Sequence, residues 1–187
     1  MQPGLRIPLT SEPTLFDEAA RLGHEIVWLH TFGERFADPA AGRPTSAPRL
    51  AQNGPRISAA GAIPDAPDRM PDTISYDAAN RRLRIGDGYV DNVPPEVWRY
   101  EVSGKHVLTQ WFSYRKRHRD RPLIGDKRPP SPLGDIQPDR WLAEYTRELI
   151  DVLHVLGRLV LLEPAQADLL DRICASPTVD AAALHRE

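Results

Sequence analysis

The residues of this 187-residue chain with the most evident chemistry are cations interleaved with aromatic side chains. Residues 105–128 include eight lysines and arginines but two acidic residues, whereas the whole chain has a formal net charge of −2. Cations bind phosphates by displacing counterions, and guanidinium or amide groups can hydrogen-bond the edges of bases. The segment therefore predicts an electropositive face for a polyanion, with a solvated basic loop as the alternative. Five aromatic residues accompany the cations: Trp98, Tyr100, Trp111, Phe112 and Tyr114.

The candidate nucleic-acid contacts all belong to this segment. Lys105 is expected to face outward, and base recognition is predicted for Gln110, Lys127 or Arg128. No catalytic, cofactor-binding or metal-ligating residue is predicted. Phosphate contacts are predicted for Arg115, Lys116, Arg117, Arg119 and Arg121.

Two glycine-containing segments resemble nucleotide-binding motifs, and both are incomplete. Gly86 and Gly88 match the start of a dinucleotide fingerprint, but Asp91 occupies the third glycine position and a hairpin precedes the motif. The pair Gly104 and Lys105 lacks the upstream glycine and the following serine or threonine of a phosphate-binding loop. A plain turn is the interpretation that we favour for the first segment, and an enzyme is not predicted.

The histidines and the single cysteine favour neither a metal site nor a disulfide. Zinc sites commonly use cysteine pairs or histidines at close spacing, and Cys174 is alone in this chain. Nothing therefore argues for an oxidising compartment, and the cytoplasm is the expected location. The six histidines include no pair spaced four residues apart: His24, His30, His106, His118, His154 and His185.

The elements that must position the basic segment can be predicted from hydrophobic periodicity. A helix is expected over residues 14–32 with Thr14 as its N-cap, because apolar residues recur there at three- and four-residue steps. Residues 73–85 alternate as a hairpin around a turn at 77–80, and Tyr89 and Val90 could add a third strand. The helix stripe consists of Leu15, Ala19, Leu22, Ile26 and Leu29.

Further along the chain, helices dominate the prediction. One is expected over residues 105–117, and the strongest over 139–162, where Pro164 should end it before a last short helix over 165–174. The fold class that follows is α+β, with a small, mainly antiparallel sheet packed with helices and a long C-terminal helix. On the helix over 105–117, the inner side is expected to carry Val107, Leu108, Trp111 and Phe112, with Tyr114 as a further candidate for that side. The outer side is expected to carry Lys105, Gln110, Lys116 and Arg117.

The expected organisation is a single domain over residues 1–175, followed by a frayed tail over 176–187. Seven of the 19 prolines fall within residues 38–72, which predicts a long wrapping loop with at most a short strand from Arg56. No apolar run reaches the length of a membrane helix, and the N-terminus does not read as a secretory leader.

Several blocks of the chain resemble the C-terminal specificity domain of type ISP restriction-modification enzymes, which are single polypeptides related to type I systems. The central block, residues 94–116, reads PPEVWRYEVSGKHVLTQWFSYRK. Each block is short, and together they extend the resemblance from Pro3 to about Cys174. The other blocks are residues 29–36, 74–77, 128–136 and 141–160.

The resemblance implies a target-recognition module that binds a short duplex DNA sequence and directs adenine N6 methylation and restriction. The partner would carry methyltransferase, helicase and nuclease domains, and S-adenosylmethionine and ATP would bind only those domains. The chain itself would be a specificity subunit, an excised domain or a truncated copy, and would not catalyse.

The alternative is a structural or docking fragment, or a decayed remnant of a larger DNA methyltransferase, without independent DNA binding. Its interfaces would be the helix stripe over 142–160 and the cluster of Trp28, Phe32 and Phe36.

Overall fold

The computed structural model describes residues 8–35, 48–117 and 138–179. The predicted α+β class, with a small antiparallel sheet and a long C-terminal helix, is confirmed. Its helices are α1 (Pro13–His30), α2 (Pro95–Trp98), α3 (Val107–Ser113) and α4 (Ala143–Ala175). The strands are β1 (Ile74–Asp77), β2 (Arg82–Ile85), β3 (Gly88–Val90), β4 (Glu101–Val102) and β5 (Lys105–His106).

The chain divides into two compact units. The first consists of Met1–Pro48 and Arg158–Glu187, and the second is Arg49–Gly157. The boundary between Gly157 and Arg158 lies inside α4, so this helix contributes residues to both units. The single domain expected over residues 1–175 stays a prediction.

In the first unit, α1 buries the predicted apolar stripe through Leu22 and Leu29. The helix begins at Pro13, not after Thr14, and its N-cap Glu12 makes no side-chain capping bond. The Thr14 cap was therefore wrong. Proline is well suited to the first helical position because it has no N–H that needs a partner, and the helix starts two residues earlier than a Thr14 cap would place it.

Two ion pairs and a short backbone ladder hold α1 within this unit. Arg158 bonds Glu25 at 3.0 Å and lies 5.0 Å over the Trp28 ring, and Arg172 bonds Glu18 at 2.5 Å. The hydrogen bond from Arg172 is the main reason why the pKa of Glu18 is lowered. Beyond α4, the chain pairs with the residues before α1 through the bridge Thr10↔Thr178.

The second unit is built on a three-stranded antiparallel meander in the order β1-β2-β3. Leu83, Ile85 and Val90 are fully buried on one face, which is the alternation predicted from the sequence. The possible strand at Arg56 is a single bridge to Asp91, because prolines on both sides of this loop limit ladder pairing.

The loop before this sheet is fixed to α4 by His154. The His154 ring accepts the backbone N–H of Leu50 at Nδ1 over 3.1 Å, and Arg49 pairs with Asp151 at 2.6 Å. His154 is buried, and Gly54 lies directly against its ring. To accept this bond, the imidazole must be neutral and its Nδ1 must carry no proton.

Helix α4 is continuous through Pro164, so the predicted end at residue 162 and the separate helix over 165–174 were wrong. A proline inside a helix removes one hydrogen bond at a cost of about 3 kcal/mol. Burial of Leu169 and the Arg172 ion pair beyond the proline offset this cost. None of the helices in the described ranges is both long and apolar enough to cross a membrane.

Replacing Gly54 with alanine should destabilise the protein by about 1–3 kcal/mol. A Cβ at this position would collide with the Cε1 atom of His154 and come within 2.9 Å of Nδ1. Gly23→Ala is the matched control: nothing lies within 4 Å of its Cβ position in α1. Alanine there should raise stability by about 1 kcal/mol. Urea denaturation measures the free energy of unfolding of both variants. Equal effects of the two substitutions would contradict the close contact between Gly54 and His154.

The stability of the protein should fall as the pH drops below about 6.5. Burial lowers the pKa of His154 below its ordinary value of 6.5; the Arg49 charge lowers it further, and Asp151 opposes them. As the pH falls, the unfolded chain therefore protonates His154 before the folded protein does. Stability decreases until the pH falls below the pKa of His154 in the folded protein. Urea denaturation at pH values from about 7.5 to about 5.5 measures the free energy of unfolding. This free energy should depend less on pH in His154→Asn than in the wild type. An unchanged dependence in the variant would rule out His154 as its source.

Candidate nucleic-acid interface

The basic segment begins on a hairpin and not on a helix. Glu101 and Val102 pair with His106 and Lys105 across a two-residue turn. Both turn residues have positive φ, 52° for Ser103 and 73° for Gly104, which is the requirement of a type I′ turn. The helix predicted over residues 105–117 was therefore wrong at its start, because the turn returns the chain to form strand β5. Lys105 is exposed beside this turn.

His106 connects the hairpin to α3 by capping the helix. Its Nδ1 accepts the backbone N–H of Thr109 at 3.3 Å and lies 2.7 Å from the Thr109 hydroxyl. The His106 ring packs edge-on against Trp98, with 4.3 Å between ring centroids. Trp98 in turn stacks on Tyr76 of β1. These ring contacts fix the first turn of α3 relative to the sheet.

Helix α3 has one buried side and one polar exposed side. Leu108 and Phe112 are buried as predicted, and Trp111 is half-buried. Gln110 is exposed as predicted, and its Nε2 donates to the Tyr114 hydroxyl at 2.9 Å. Tyr114 is 56% exposed, so the expectation that it lies on the inner side was wrong. It lies after the end of α3, where the shortened helix no longer directs it inward.

Arg115 is held firmly by intramolecular contacts. Its Nε and Nη2 donate to one carboxylate oxygen of Glu148 at 3.1 and 2.7 Å, and Nη1 donates to the Trp111 carbonyl at 3.0 Å. The guanidinium also lies 4.2 Å from the centroid of the Trp111 ring and 5.6 Å from that of Tyr145. A phosphate contact by Arg115 would have to share the guanidinium with these partners. The predicted contact stays a prediction.

An aromatic cluster packs around the side chain of this arginine. Trp141 is almost completely buried and makes edge contacts with Trp111 and Tyr145 at centroid distances of 6.2 and 5.4 Å. Its indole N–H donates to the Thr146 hydroxyl at 2.8 Å, which satisfies the buried polar atom. Sequence reasoning missed Glu148 as the partner of Arg115, because no local pattern relates the two residues.

The remaining described cations of the segment follow Arg115 directly. The backbone N–H of Arg117 donates to the Pro71 carbonyl at 2.8 Å, and its guanidinium donates to the Asp68 carbonyl at 3.1 Å. A carbonyl carries no net charge, so the Arg117 cation stays uncompensated by these bonds. Lys116 is half-buried at the same corner. Four other predicted contacts lie outside the described residues: Arg119, Arg121, Lys127 and Arg128.

The arginines of the three-stranded sheet differ from this segment because carboxylates neutralise them. Arg82 pairs with Asp91 at 2.6 Å and also lies 4.3 Å over the Tyr89 ring. Arg84 pairs with Asp77 at 3.4 Å. The hydrogen bond to Asp91 is the largest cause of the raised pKa of Arg82. Both arginines of β2 are therefore paired with a carboxylate.

The glycines that resembled a dinucleotide fingerprint form a turn. Gly86, with φ of 56°, and Asp87 connect β2 to β3, and Asp87 pairs with Arg69 at 2.9 Å. A strand-to-helix turn, which the fingerprint requires, is not formed there. Within the described ranges, no group of three or more potential metal ligands is found.

A family model matches residues 1–152, which include the meander, the hairpin, α3 and the first part of α4. The chain belongs to the Type ISP C-terminal specificity domain family. Membership places it among the target-recognition parts of restriction-modification systems, as a non-catalytic module. No curated protein and no solved structure matches the chain.

Five of the predicted contact residues lie on one continuous segment of this specificity domain. Lys105 lies on the hairpin, Gln110 on α3, and Arg115, Lys116 and Arg117 follow α3. The hairpin contacts the sheet through the half-buried rings of His106, Trp98 and Tyr76, and α3 packs on the buried Trp141. Whether these residues contact DNA stays a prediction.

Replacing Arg115 with alanine should lower the stability of the specificity domain by about 1–2 kcal/mol. The estimate combines a partly exposed ion pair with a cation–π contact, each contributing about 0.5–1 kcal/mol. Lys105→Ala, at an exposed site, should change stability by less than about 0.5 kcal/mol. Chemical denaturation of both variants measures the difference. An Arg115 variant as stable as the wild type would show that the observed contacts contribute nothing.

Proposed function

We propose that this chain binds duplex DNA in a sequence-specific way as the target-recognition module of a restriction-modification system. In this proposal it directs adenine N6 methylation and restriction by a partner that carries methyltransferase, helicase and nuclease domains. The single observation that carries the proposal is the specificity-domain match over residues 1–152. S-adenosylmethionine and ATP would be bound by the catalytic domains, and the proposed location is the cytoplasm.

The distribution of charge supports this proposal. The carboxylates of the sheet neutralise its arginines, whereas the exposed Lys105 has no ion pair with any described residue and Arg117 bonds only to backbone carbonyls among them. Excess positive charge near a rigid element is what phosphate binding requires. In this arrangement Lys105, Lys116 and Arg117 contact phosphates, and Arg115 chiefly holds the support.

The docking alternative receives less support from the structure. It needs an apolar stripe on the long helix that is free to meet a partner. Leu149, Leu153, Leu156 and Leu159 of this stripe are instead buried within the chain. Of the second proposed interface, Phe32 is 41% exposed and Phe36 lies outside the described residues.

The affinity of the full chain for duplex DNA should fall linearly with salt concentration on a double-logarithmic plot. Each phosphate contact contributes about 0.9 to the slope, so the double variant Lys105→Ala/Arg117→Ala should reduce the slope by about 2. Fluorescence anisotropy with a labelled duplex measures this slope. Salt concentrations from about 50 to about 300 mM give a range of about sixfold.

Arg147→Ala is the matched control for this experiment. Arg147 is exposed on α4 and pairs with Glu144 at 2.6 Å, outside the basic segment. It should leave the slope unchanged. No binding by the wild-type chain at low salt would reject DNA binding by this chain alone. An unchanged slope in the double variant, with folding verified by circular dichroism, would reject these two residues as phosphate contacts.

A further inference from the structure

Gln110, on the exposed side of α3, forms a hydrogen-bonded pair with Tyr114, the residue that follows the helix. They are four residues apart, and the Gln110 amide donates to the Tyr114 hydroxyl at 2.9 Å. Exposed glutamine side chains ordinarily sample several rotamers, and ordering one costs entropy. The bond to Tyr114 restrains the amide before any ligand is bound. An exposed polar group with a restrained direction is suited to recognising a ligand.

The hydrogen-bonding groups that remain on Gln110 define what this ligand could be. A glutamine amide has one acceptor oxygen and two N–H donors, and the Tyr114 hydroxyl occupies one donor. Among the described residues, Oε1 and the second N–H have no protein partner. An adjacent acceptor and donor match the major-groove edge of adenine, where N6–H donates and N7 accepts. Guanine presents two acceptors there and does not match.

The support around Gln110 holds its position on the domain. Leu108 and Phe112 bury the opposite side of α3, and His106 caps its first turn. The Ser113 hydroxyl donates to the backbone carbonyl of Gln110 at 2.7 Å. The amide is therefore carried on a short helix that is capped at its start and buried on its opposite side.

We propose that Gln110 recognises one adenine of the target sequence through the major groove. Tyr114 acts as a positioning residue that fixes the amide for this contact. The inference rests on the proposed function, since it requires duplex DNA to be the ligand. Beyond the proposed function, it names the base that Gln110 recognises and identifies Tyr114 as the residue that orients Gln110.

The test is selection of bound sequences from a randomised duplex pool by the full chain and its variants. The wild type should enrich a motif that contains an adenine. Gln110→Ala should reduce the preference for adenine at one position by about 10-fold, the magnitude of a lost bidentate contact. Tyr114→Phe, which keeps the ring, should reduce it about 3-fold at the same position. Gln52→Ala, at an exposed glutamine in another loop, should leave the motif unchanged.

A chemically modified duplex provides a second measurement. Placing 7-deazaadenine at the identified position removes the N7 acceptor and should weaken wild-type binding several-fold. It should leave binding by Gln110→Ala unchanged, because the contact is already lost in this variant. A wild-type motif that is retained in full by Gln110→Ala would overturn the inference, as would equal sensitivity of both proteins to 7-deazaadenine.

Other outcomes distinguish this inference from the proposed function. Salt-dependent binding of every duplex with no enriched motif would overturn adenine recognition and leave the phosphate contacts standing. No binding of any duplex would overturn both proposals. A Tyr114→Phe variant that weakens binding to all sequences alike would show that Tyr114 contacts the DNA backbone and does not orient Gln110.

Discussion

The contact of Arg115 with Glu148 and Trp111 is the interaction on which the arrangement of the basic segment depends. It connects the segment after α3 to the side of α4 through two residues, Arg115 and Glu148, that are 33 positions apart in the chain. Without it, the end of the short helix would be held by buried apolar contacts and by the bonds of Arg117 to the Pro71 and Asp68 carbonyls. Because α3 has seven residues, its own hydrogen bonds could not hold it in water. The rings of Trp111 and Tyr145 lie against the guanidinium, Trp141 packs on both of these rings, and the Glu148 carboxylate is the charged partner.

This arrangement separates two roles that look identical in the sequence. Arg115 and Arg117 belong to the same run of cations, yet Arg115 is bonded to a carboxylate and Arg117 to carbonyls. A carboxylate cancels most of the field of its partner, whereas a neutral carbonyl leaves the field in place. Positive charge is therefore reduced at Arg115, and the bonds that Arg117 makes to described residues leave its charge in place.

Secondary structure was predictable where local chemistry decided it. The meander follows from strict alternation around polar turns, and α1 from its apolar periodicity. The prediction was wrong for the start of α3, where Ser103 in a left-handed conformation allows a two-residue turn that residue preferences do not favour. It was wrong for α4 as well, since distant packing of Leu169 and Arg172 outweighs the local penalty of Pro164.

The sequence by itself determined the fold class, the family and the location of the excess positive charge, because these depend on composition, periodicity and short blocks of residues. Only the tertiary structure decided which cations are neutralised and which polar side chains are oriented. The pairing of Arg115 with Glu148, and of the Leu50 backbone with His154, joins residues that are 33 and 104 positions apart. Such contacts arise from the packing of whole elements, and no local pattern encodes the partner of a given side chain.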